Sequence, residues 1–238
     1  MGKLIGFVSG KGGAGKTTIT EIVCSALTMY YDYTIAVIDT DVDQPSMNVD
    51  RKDDLRKYER DDPLTLRNVE KLTEKGKEPF KIFTIEPTNI AAIAKVKKEF
   101  DIVFLDVPGS LSIKGVKELY YFMDYAYIPF YVDKKSVEST ISTLELLSNM
   151  FHSQKSRLKG FGVFFNRYNG EKGKNSAYFR RFGDWLDKQG VKRLKPVYEN
   201  IEFQRKYAST INPPPYNISK KSIYTFIEDL LINIKEKK

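Results

Sequence analysis

The chain has 238 residues, of which 41% are hydrophobic and 29% charged, and this composition predicts a soluble globular protein. No apolar run approaches the roughly 20 residues that a membrane-spanning helix needs. The single cysteine, Cys24, excludes an intramolecular disulfide and a cysteine-based metal cluster within one chain, which is typical of a reducing cytoplasm. The net charge of +8 and the pI near 9.2 favour a polyanionic partner, nucleic acid first, or a lysine surplus that serves only solubility.

Short apolar runs rich in β-branched and aromatic residues alternate with segments of helical periodicity. This alternation predicts an α/β fold of three layers, in which a mostly parallel, twisted sheet carries helices on both faces. We expect a single domain over residues 1–238. The predicted strands are 3–9, 34–39, 81–85, 101–106, 125–131, 160–166 and 193–198. The predicted helices are 16–31, 90–100, 113–123, 137–153, 177–188 and 220–235, and Ser136 is the expected N-cap of the fourth.

Two stretches interrupt this alternation. Residues 50–79 are highly charged and lack a clean apolar face, so we expect a helical segment on the surface. Pro213, Pro214 and Pro215 preclude helix and sheet, and they predict a stiff extended loop.

A glycine-rich loop joins the first predicted strand to the first predicted helix. Residues 10–17 match G-x-x-x-x-G-K-[ST] in the strand–loop–helix context that this phosphate-binding motif requires. The glycines let the backbone turn its N–H groups inward, and the helix adds its positive N-terminal end. Lys16 would neutralise the β- and γ-phosphates, and Thr17 would offer its hydroxyl to Mg²⁺. The predicted nucleotide contacts in this loop are Gly10, Lys11, Gly12, Gly13, Ala14, Gly15, Lys16, Thr17 and Thr18.

A second lysine stands at the start of this loop, so that residues 11–18 read K-G-G-x-G-K-T-T. This signature resembles the deviant Walker A subclass of P-loop NTPases, the ParA/MinD family of dimerising ATPases. The resemblance implies ATP as the ligand, and it implies that Lys11 reaches across a nucleotide-sandwich dimer to the phosphates of the partner's ATP. Such a lysine would stabilise transition-state charge only in the dimer, as an arginine finger does. Hydrolysis would therefore depend on assembly.

Acidic residues end the second predicted strand, where carboxylates face the ligand crevice of a parallel sheet. Asp39 and Asp41 alternate onto one side and resemble the family's D-x-D segment. The resemblance implies that Asp39 helps to hold Mg²⁺ and that Asp41 orients or activates the attacking water. Family members usually have Pro-Gln directly after the second Asp, whereas three residues stand between Asp41 and Pro45 here. Asp43 is therefore an alternative candidate for binding the attacking water. A capping or solvated acidic turn is the alternative to all of these roles.

The fourth predicted strand ends in Asp106, and Pro-Gly forces a turn soon after it. This resembles the family's Walker B segment and second switch, with Val107 as a mild variation. The resemblance implies that Asp106 holds Mg²⁺ through water and that Gly109 places its N–H near the γ-phosphate. Asn166, at the end of the sixth predicted strand, resembles the family's adenine-reading asparagine, since an amide offers a donor and an acceptor together. The loop after Pro196 would close the other side of the base.

The resemblance and the residues together give the following site. The catalytic residues are Lys11, Lys16 and Asp41, the metal site is Thr17, Asp39 and Asp106, and Gly109 and Asn166 complete the nucleotide contacts. The sole histidine, His152, is expected on the surface, and metal chemistry beyond Mg²⁺ is not expected.

The second half of the chain carries basic residues that the resemblance makes candidate contacts to nonspecific DNA. They are Arg180, Arg181, Lys188, Lys192, Arg193, Lys195, Arg205, Lys206, Lys220 and Lys221. The C-terminal helix has apolar residues at helical spacing, which favour packing in the core over a membrane-targeting amphipathic helix as in MinD.

The resulting hypothesis is a ParA-like ATPase, cytoplasmic and associated with the nucleoid. It would form a homodimer on ATP and Mg²⁺, bind DNA nonspecifically, and hydrolyse ATP slowly under stimulation by a DNA-bound, ParB-like adaptor in plasmid or mobile-element partitioning. Membrane association is not expected. The alternatives are a MinD-like membrane-associated positioning ATPase and a nucleotide-binding regulator of a conjugative element with negligible turnover.

Overall fold

In the computed structural model, seven strands form one sheet in the order β3-β2-β4-β1-β5-β6-β7, and every paired strand is parallel. The structure describes residues 2–10, 12–131, 134–169, 177–216 and 223–235. The strands are β1 (Lys3–Phe7), β2 (Ile35–Asp39), β3 (Lys81–Thr84), β4 (Ile102–Asp106), β5 (Tyr125–Phe130), β6 (Gly160–Phe165) and β7 (Lys192–Arg193). The predicted α/β class and the first six predicted strands are confirmed. The seventh prediction, 193–198, shares only Arg193 with β7, because residues 194–197 are not in a strand.

Helices cover both faces of the sheet. They are α1 (Lys16–Tyr30), α2 (Ser46–Glu59), α3 (Pro63–Glu74), α4 (Ile90–Glu99), α5 (Val116–Phe122), α6 (Lys134–Phe151), α7 (Ala177–Lys188), α8 (Ile201–Arg205) and α9 (Thr225–Ile234). All six predicted helices occur, although residues 220–222 of the last one lie outside the described part of the chain. Helix α8 was not predicted.

Each central strand is buried on both faces, which is why its sequence is a continuous apolar run. Ile5 and Phe7 of β1 pack in one core with α1 and α9, whereas Leu4 packs in a second core with α4, α5, α6 and α7. In α9, Phe226, Ile227, Leu230, Leu231 and Ile234 are buried, whereas Ile232 is exposed. The Phe226 ring lies 4.6 Å from that of Phe164. The predicted core-packing role of the C-terminal helix is confirmed.

The charged segment forms α2 and α3, and the side chains that it buries are largely polar. Asp54 Oδ2 accepts hydrogen bonds from the Ser209 hydroxyl at 2.9 Å and from the Thr210 backbone N–H at 2.7 Å. Asn68 Nδ2 donates to Asn212 Oδ1 at 3.0 Å. The chain leading into the three prolines is therefore fastened to α2 and α3 by buried hydrogen bonds. Residues 212–215 have no regular structure, as the prolines predict.

The predicted N-cap at Ser136 is wrong. Helix α6 begins at Lys134, so Ser136 lies within its first turn. The Ser136 hydroxyl instead accepts a hydrogen bond from the Tyr131 backbone N–H at 3.0 Å. The serine hydroxyl therefore bonds a backbone group at the end of β5. The sequence pattern of helix starts does not include such a partner from a preceding strand.

Candidate functional site

The glycine-rich loop lies at the carboxyl edge of the sheet, between β1 and α1. Gly13 and Gly15 have φ angles of 77° and 79°, in the left-handed region that side chains beyond glycine rarely adopt. Gly10 donates its N–H to the Thr143 hydroxyl of α6 at 3.2 Å. Gly12 and Gly13 are exposed. Lys11 lies outside the described residues.

Lys16 and Thr17 begin α1 directly beneath this loop. Lys16 is 8% exposed, and burial lowers its pKa, an effect that the negative charge of Asp106 opposes. Thr18 faces a cavity beside the loop.

Asp39 and Asp106 are register partners at the ends of the neighbouring strands β2 and β4. Their side chains therefore project to the same face of the sheet. Thr17 donates its hydroxyl to Asp106 Oδ2 at 2.8 Å. Within the described part of the chain, the other oxygen of Asp106 is buried and has no hydrogen-bond partner. The structure thus brings together all three residues predicted to hold a metal.

The pKa of Asp106 is raised to about 7, chiefly by burial and also by the negative charge of Asp39. The hydrogen bond from the Thr17 hydroxyl and the positive charge of Lys16 oppose this shift. Burial also raises the pKa of Asp39, although hydrogen bonds from backbone N–H groups oppose the shift. These two carboxylates are crowded with negative charge and would be stabilised by a cation.

Asp39 is fully buried, and each of its oxygens accepts a backbone hydrogen bond. The donors are the N–H of Asp41 at 3.1 Å and that of Met47 at 3.2 Å. Asp41 is half-buried and accepts the Gln44 N–H at 3.3 Å, whereas Asp43 is exposed. The first acid is therefore fixed by the backbone, and the second is reachable by water.

Asn166 lies against the loop from the end of β6. It is 7% exposed, and its Nδ2 donates to the Ala14 carbonyl at 3.0 Å. Tyr131 makes the equivalent contact from the end of β5, where its hydroxyl donates to the Gly13 carbonyl at 2.9 Å. No motif pointed to Tyr131. Its position at the carboxyl end of a strand was the only signal available.

A cavity of about 330 Å³ lies next to the loop. Its walls include Gly15, Ile19 and Ile22 on one side and Asn166 on another, and 197–201 closes it. The segment after Pro196 therefore lines a cavity beside the glycine-rich loop. The apolar wall from α1 suits a flat ring, and the volume lies within the lower range of small-ligand sites, which begins at about 300 Å³.

Gly109 is half-buried in the loop that follows β4, at the same edge of the sheet. His152 is exposed, as predicted. Among the described helices, none is long and apolar enough to cross a membrane.

Sequence reasoning also missed Glu21, which lies on α1 one turn beyond Thr17. It is 2% exposed, and burial raises its pKa to about 10, with hydrogen bonding to Asp50 and the charges of Asp50, Asp54 and Asp106 adding to the shift. An acid within a helix normally indicates a solvated face, so nothing in the pattern marked it as buried.

The fold and this site define a P-loop nucleotide-binding protein of the ParA/MinD type. Residues 5–213 match the model of the CobQ/CobB/MinD/ParA nucleotide-binding domain. Because the match covers most of the chain, the protein belongs to this family, whose members are P-loop ATPases. A search of curated proteins found no match.

Solved structures share this fold over nearly their whole length. A candidate plasmid partition protein from Borrelia burgdorferi B31 bound to AMPPNP is 18% identical, with a TM-score of 0.67 and coverage of 98% of this chain and 100% of that one. MinD in the MinC:MinD complex of Aquifex aeolicus is 18% identical, with a TM-score of 0.65 and coverage of 99% of this chain and 98% of that one. A variant of McdA from Cyanothece in complex with ATP is 17% identical, with a TM-score of 0.63 and coverage of 100% and 98%. At these identities the similarity concerns the fold.

Proposed function

We propose that this chain is an ATP-dependent dimerising switch that binds DNA nonspecifically and hydrolyses ATP slowly, in the partitioning of a plasmid or mobile element. The observation that carries the proposal is the meeting of Thr17, Asp39 and Asp106 beneath a glycine-rich loop that is followed by Lys16. Loop amides and Lys16 would bind the phosphates, and the adjacent cavity would receive the base and ribose.

The residues present fit Mg²⁺. The orphaned oxygen of Asp106 and the Thr17 hydroxyl are hard oxygen donors, and Asp39 supplies a second carboxylate beside them. The described residues contain no cluster of three or more His, Cys, Asp or Glu that could hold a metal. A magnesium that is shared with phosphates needs only one or two carboxylates, so a larger cluster is not required. When bound, Mg²⁺ would neutralise charge on the phosphates.

Asp41 is the proposed residue for the attacking water, because it follows the buried Asp39 and is itself accessible. Its carboxylate would orient the water for in-line attack on the γ-phosphate. Lys16 would stabilise the charge that develops on the phosphoryl group. Asp43 is more exposed and is the alternative for the water.

A second copy of the chain is the proposed partner at this edge of the sheet. Lys11 supports this assignment from the sequence. Three apolar side chains in the segments that follow β2 and β4 are also exposed to solvent: Val42 at 39%, Leu111 at 36% and Ile113 at 43%. A dimer formed over the nucleotide would cover them and gain hydrophobic stabilisation.

Nonspecific DNA is the proposed polyanion. The net charge is +8, and the candidate contacts that the structure describes are exposed, although Arg193 pairs with Asp187 and Lys206 with Glu202. Lys220 and Lys221 lie outside the described residues. Nucleoid association in the cytoplasm and a ParB-like adaptor that stimulates hydrolysis complete the proposal.

Co-sedimentation with DNA and with liposomes tests this proposal. With ATP and Mg²⁺, the protein should sediment with unrelated DNA sequences, and binding should weaken steeply as salt rises. Lys16→Ala should lose the ATP-dependent part, whereas Lys95→Ala, on the exposed surface of α4, should behave as wild type. ATP-dependent sedimentation with liposomes instead of DNA would favour the MinD-like alternative. The structure argues against that alternative, because one apolar face of α9 is buried in the core and is not available to a membrane.

A further inference from the structure

Two side chains from neighbouring strand ends hold consecutive carbonyls of the glycine-rich loop. The Tyr131 hydroxyl donates to the Gly13 carbonyl at 2.9 Å, and Asn166 Nδ2 donates to the Ala14 carbonyl at 3.0 Å. The packing is close at Gly15, since a Cβ on this residue would lie 2.7 Å from Asn166 Nδ2 and 3.2 Å from the Tyr131 hydroxyl oxygen. The loop is packed directly onto these two side chains.

Peptide geometry turns these contacts into a constraint on the loop's donors. In a planar trans peptide the C=O of one residue and the N–H of the next point in opposite directions. Fixing the Gly13 and Ala14 carbonyls therefore aims the N–H groups of Ala14 and Gly15 away from Tyr131 and Asn166. Those are donors that the glycine-rich motif needs for phosphate.

We propose that Tyr131 and Asn166 form a loop clamp, a pair of positioning residues that pre-orient the amides of the phosphate loop before nucleotide binds. This inference rests on the proposed binding of nucleotide at the loop. It gives Asn166 a role through the loop backbone, independent of which base is bound.

The environment of Asn166 supports this assignment. Its Oδ1 accepts the backbone N–H of Arg167 at 3.1 Å while its Nδ2 holds Ala14, so both ends of the buried amide are engaged within the protein. Arg167 has a φ of 52° and places its guanidinium 5.3 Å from the centre of the Tyr131 ring. The two halves of the clamp are therefore joined to each other by Arg167.

If Tyr131 and Asn166 act by holding the loop, the effect of substituting them on nucleotide affinity differs from the effect expected if Asn166 recognises the base. Tyr131→Phe removes one hydroxyl, and Asn166→Ala removes the amide. Each variant should lose roughly three- to tenfold in affinity, which corresponds to one hydrogen bond. The loss should be the same for ATP and for GTP. Adenosine, which has no phosphate, should bind each variant as it binds wild type. If Asn166→Ala changes the ratio of ATP to GTP affinity while Tyr131→Phe changes neither affinity, Asn166 acts on the base and the clamp is refuted.

A second measurement needs no nucleotide, and it separates failure of the clamp from failure of the proposed function. Hydrogen exchange in the protein alone should be several-fold faster at residues 12–18 in both variants than in wild type, with exchange in β3 unchanged. Tyr121→Phe, which alters a half-buried tyrosine of α5 in another part of the fold, is the matched control and should leave residues 12–18 unchanged. Unaltered exchange at the loop in both variants would overturn the clamp even if ATP binds, whereas faster exchange without nucleotide binding by wild type would overturn only the proposed function.

Discussion

Thr17 donates its hydroxyl to Asp106 at 2.8 Å, which joins the first turn of α1 to the carboxyl end of β4. Asp106 lies in register with Asp39 of β2. Two acids and a hydroxyl, far apart in the chain, thus converge beneath the glycine-rich loop. Their convergence follows from the parallel sheet, because the carboxyl ends of parallel strands meet at one edge.

Removing the Thr17 hydroxyl should weaken Mg²⁺-dependent nucleotide binding. We expect Thr17→Val to reduce the affinity for ATP in the presence of Mg²⁺ by roughly ten- to a hundredfold, because a hydrogen bond to a charged group contributes about 1.5–3 kcal/mol. Affinity without Mg²⁺ should change little. Isothermal titration with and without EDTA measures both, and Thr73→Val, on the exposed surface of α3, is the control. An equal loss under both conditions would exclude a role at the metal.

The buried Glu21 should make the free energy of unfolding decrease as pH rises. Its folded-state pKa of about 10 lies far above that of an unfolded glutamate, so between these values the unfolded chain loses the proton while the folded protein keeps it. Stability must therefore fall with rising pH across that window. Glu21→Gln, which resembles the protonated acid, removes this dependence and should be the more stable protein.

Urea unfolding at pH 5.5 and pH 8.5 measures the effect. The advantage of Glu21→Gln should grow with pH, by at most about 1.4 kcal/mol per unit. Glu59→Gln alters an exposed acid of α2 and should show no such growth. A gap that stays constant or narrows with pH would show that Glu21 is ionised in the folded protein.

A buried ion pair joins α4 to the sheet. Lys97 Nζ lies 2.6 Å from Asp124 Oδ2, which also accepts the Leu4 N–H at 2.7 Å. Lys97→Ala leaves the buried carboxylate without its cation and should cost about 3–5 kcal/mol in the free energy of unfolding. The neighbouring Lys98 is exposed, so Lys98→Ala should cost less than about 0.5 kcal/mol. Denaturant unfolding of both variants checks the contrast; equal effects would contradict it.

The strands and the phosphate loop could be predicted because each has a strong local signal. Strands buried on both faces are apolar runs, and the left-handed backbone at Gly13 and Gly15 requires glycine. The contacts that shape the site carry no such signal. The Tyr131 hydroxyl donates to a carbonyl 118 residues away, and the Asn166 amide donates to a carbonyl 152 residues away. These polar partners depend on the tertiary fold, which no local pattern encodes.

The central claim is that a second copy of the chain completes the ATP site, and steady-state ATP hydrolysis at a series of protein concentrations tests it most directly. Wild-type turnover per chain should rise cooperatively with protein concentration, Lys16→Ala should neither bind nor hydrolyse ATP, and Lys11→Ala should bind ATP normally but lose the concentration-dependent turnover. Lys3→Ala, at the opposite end of β1, serves as the control and should match wild type. Cooperative turnover retained in Lys11→Ala would contradict the account.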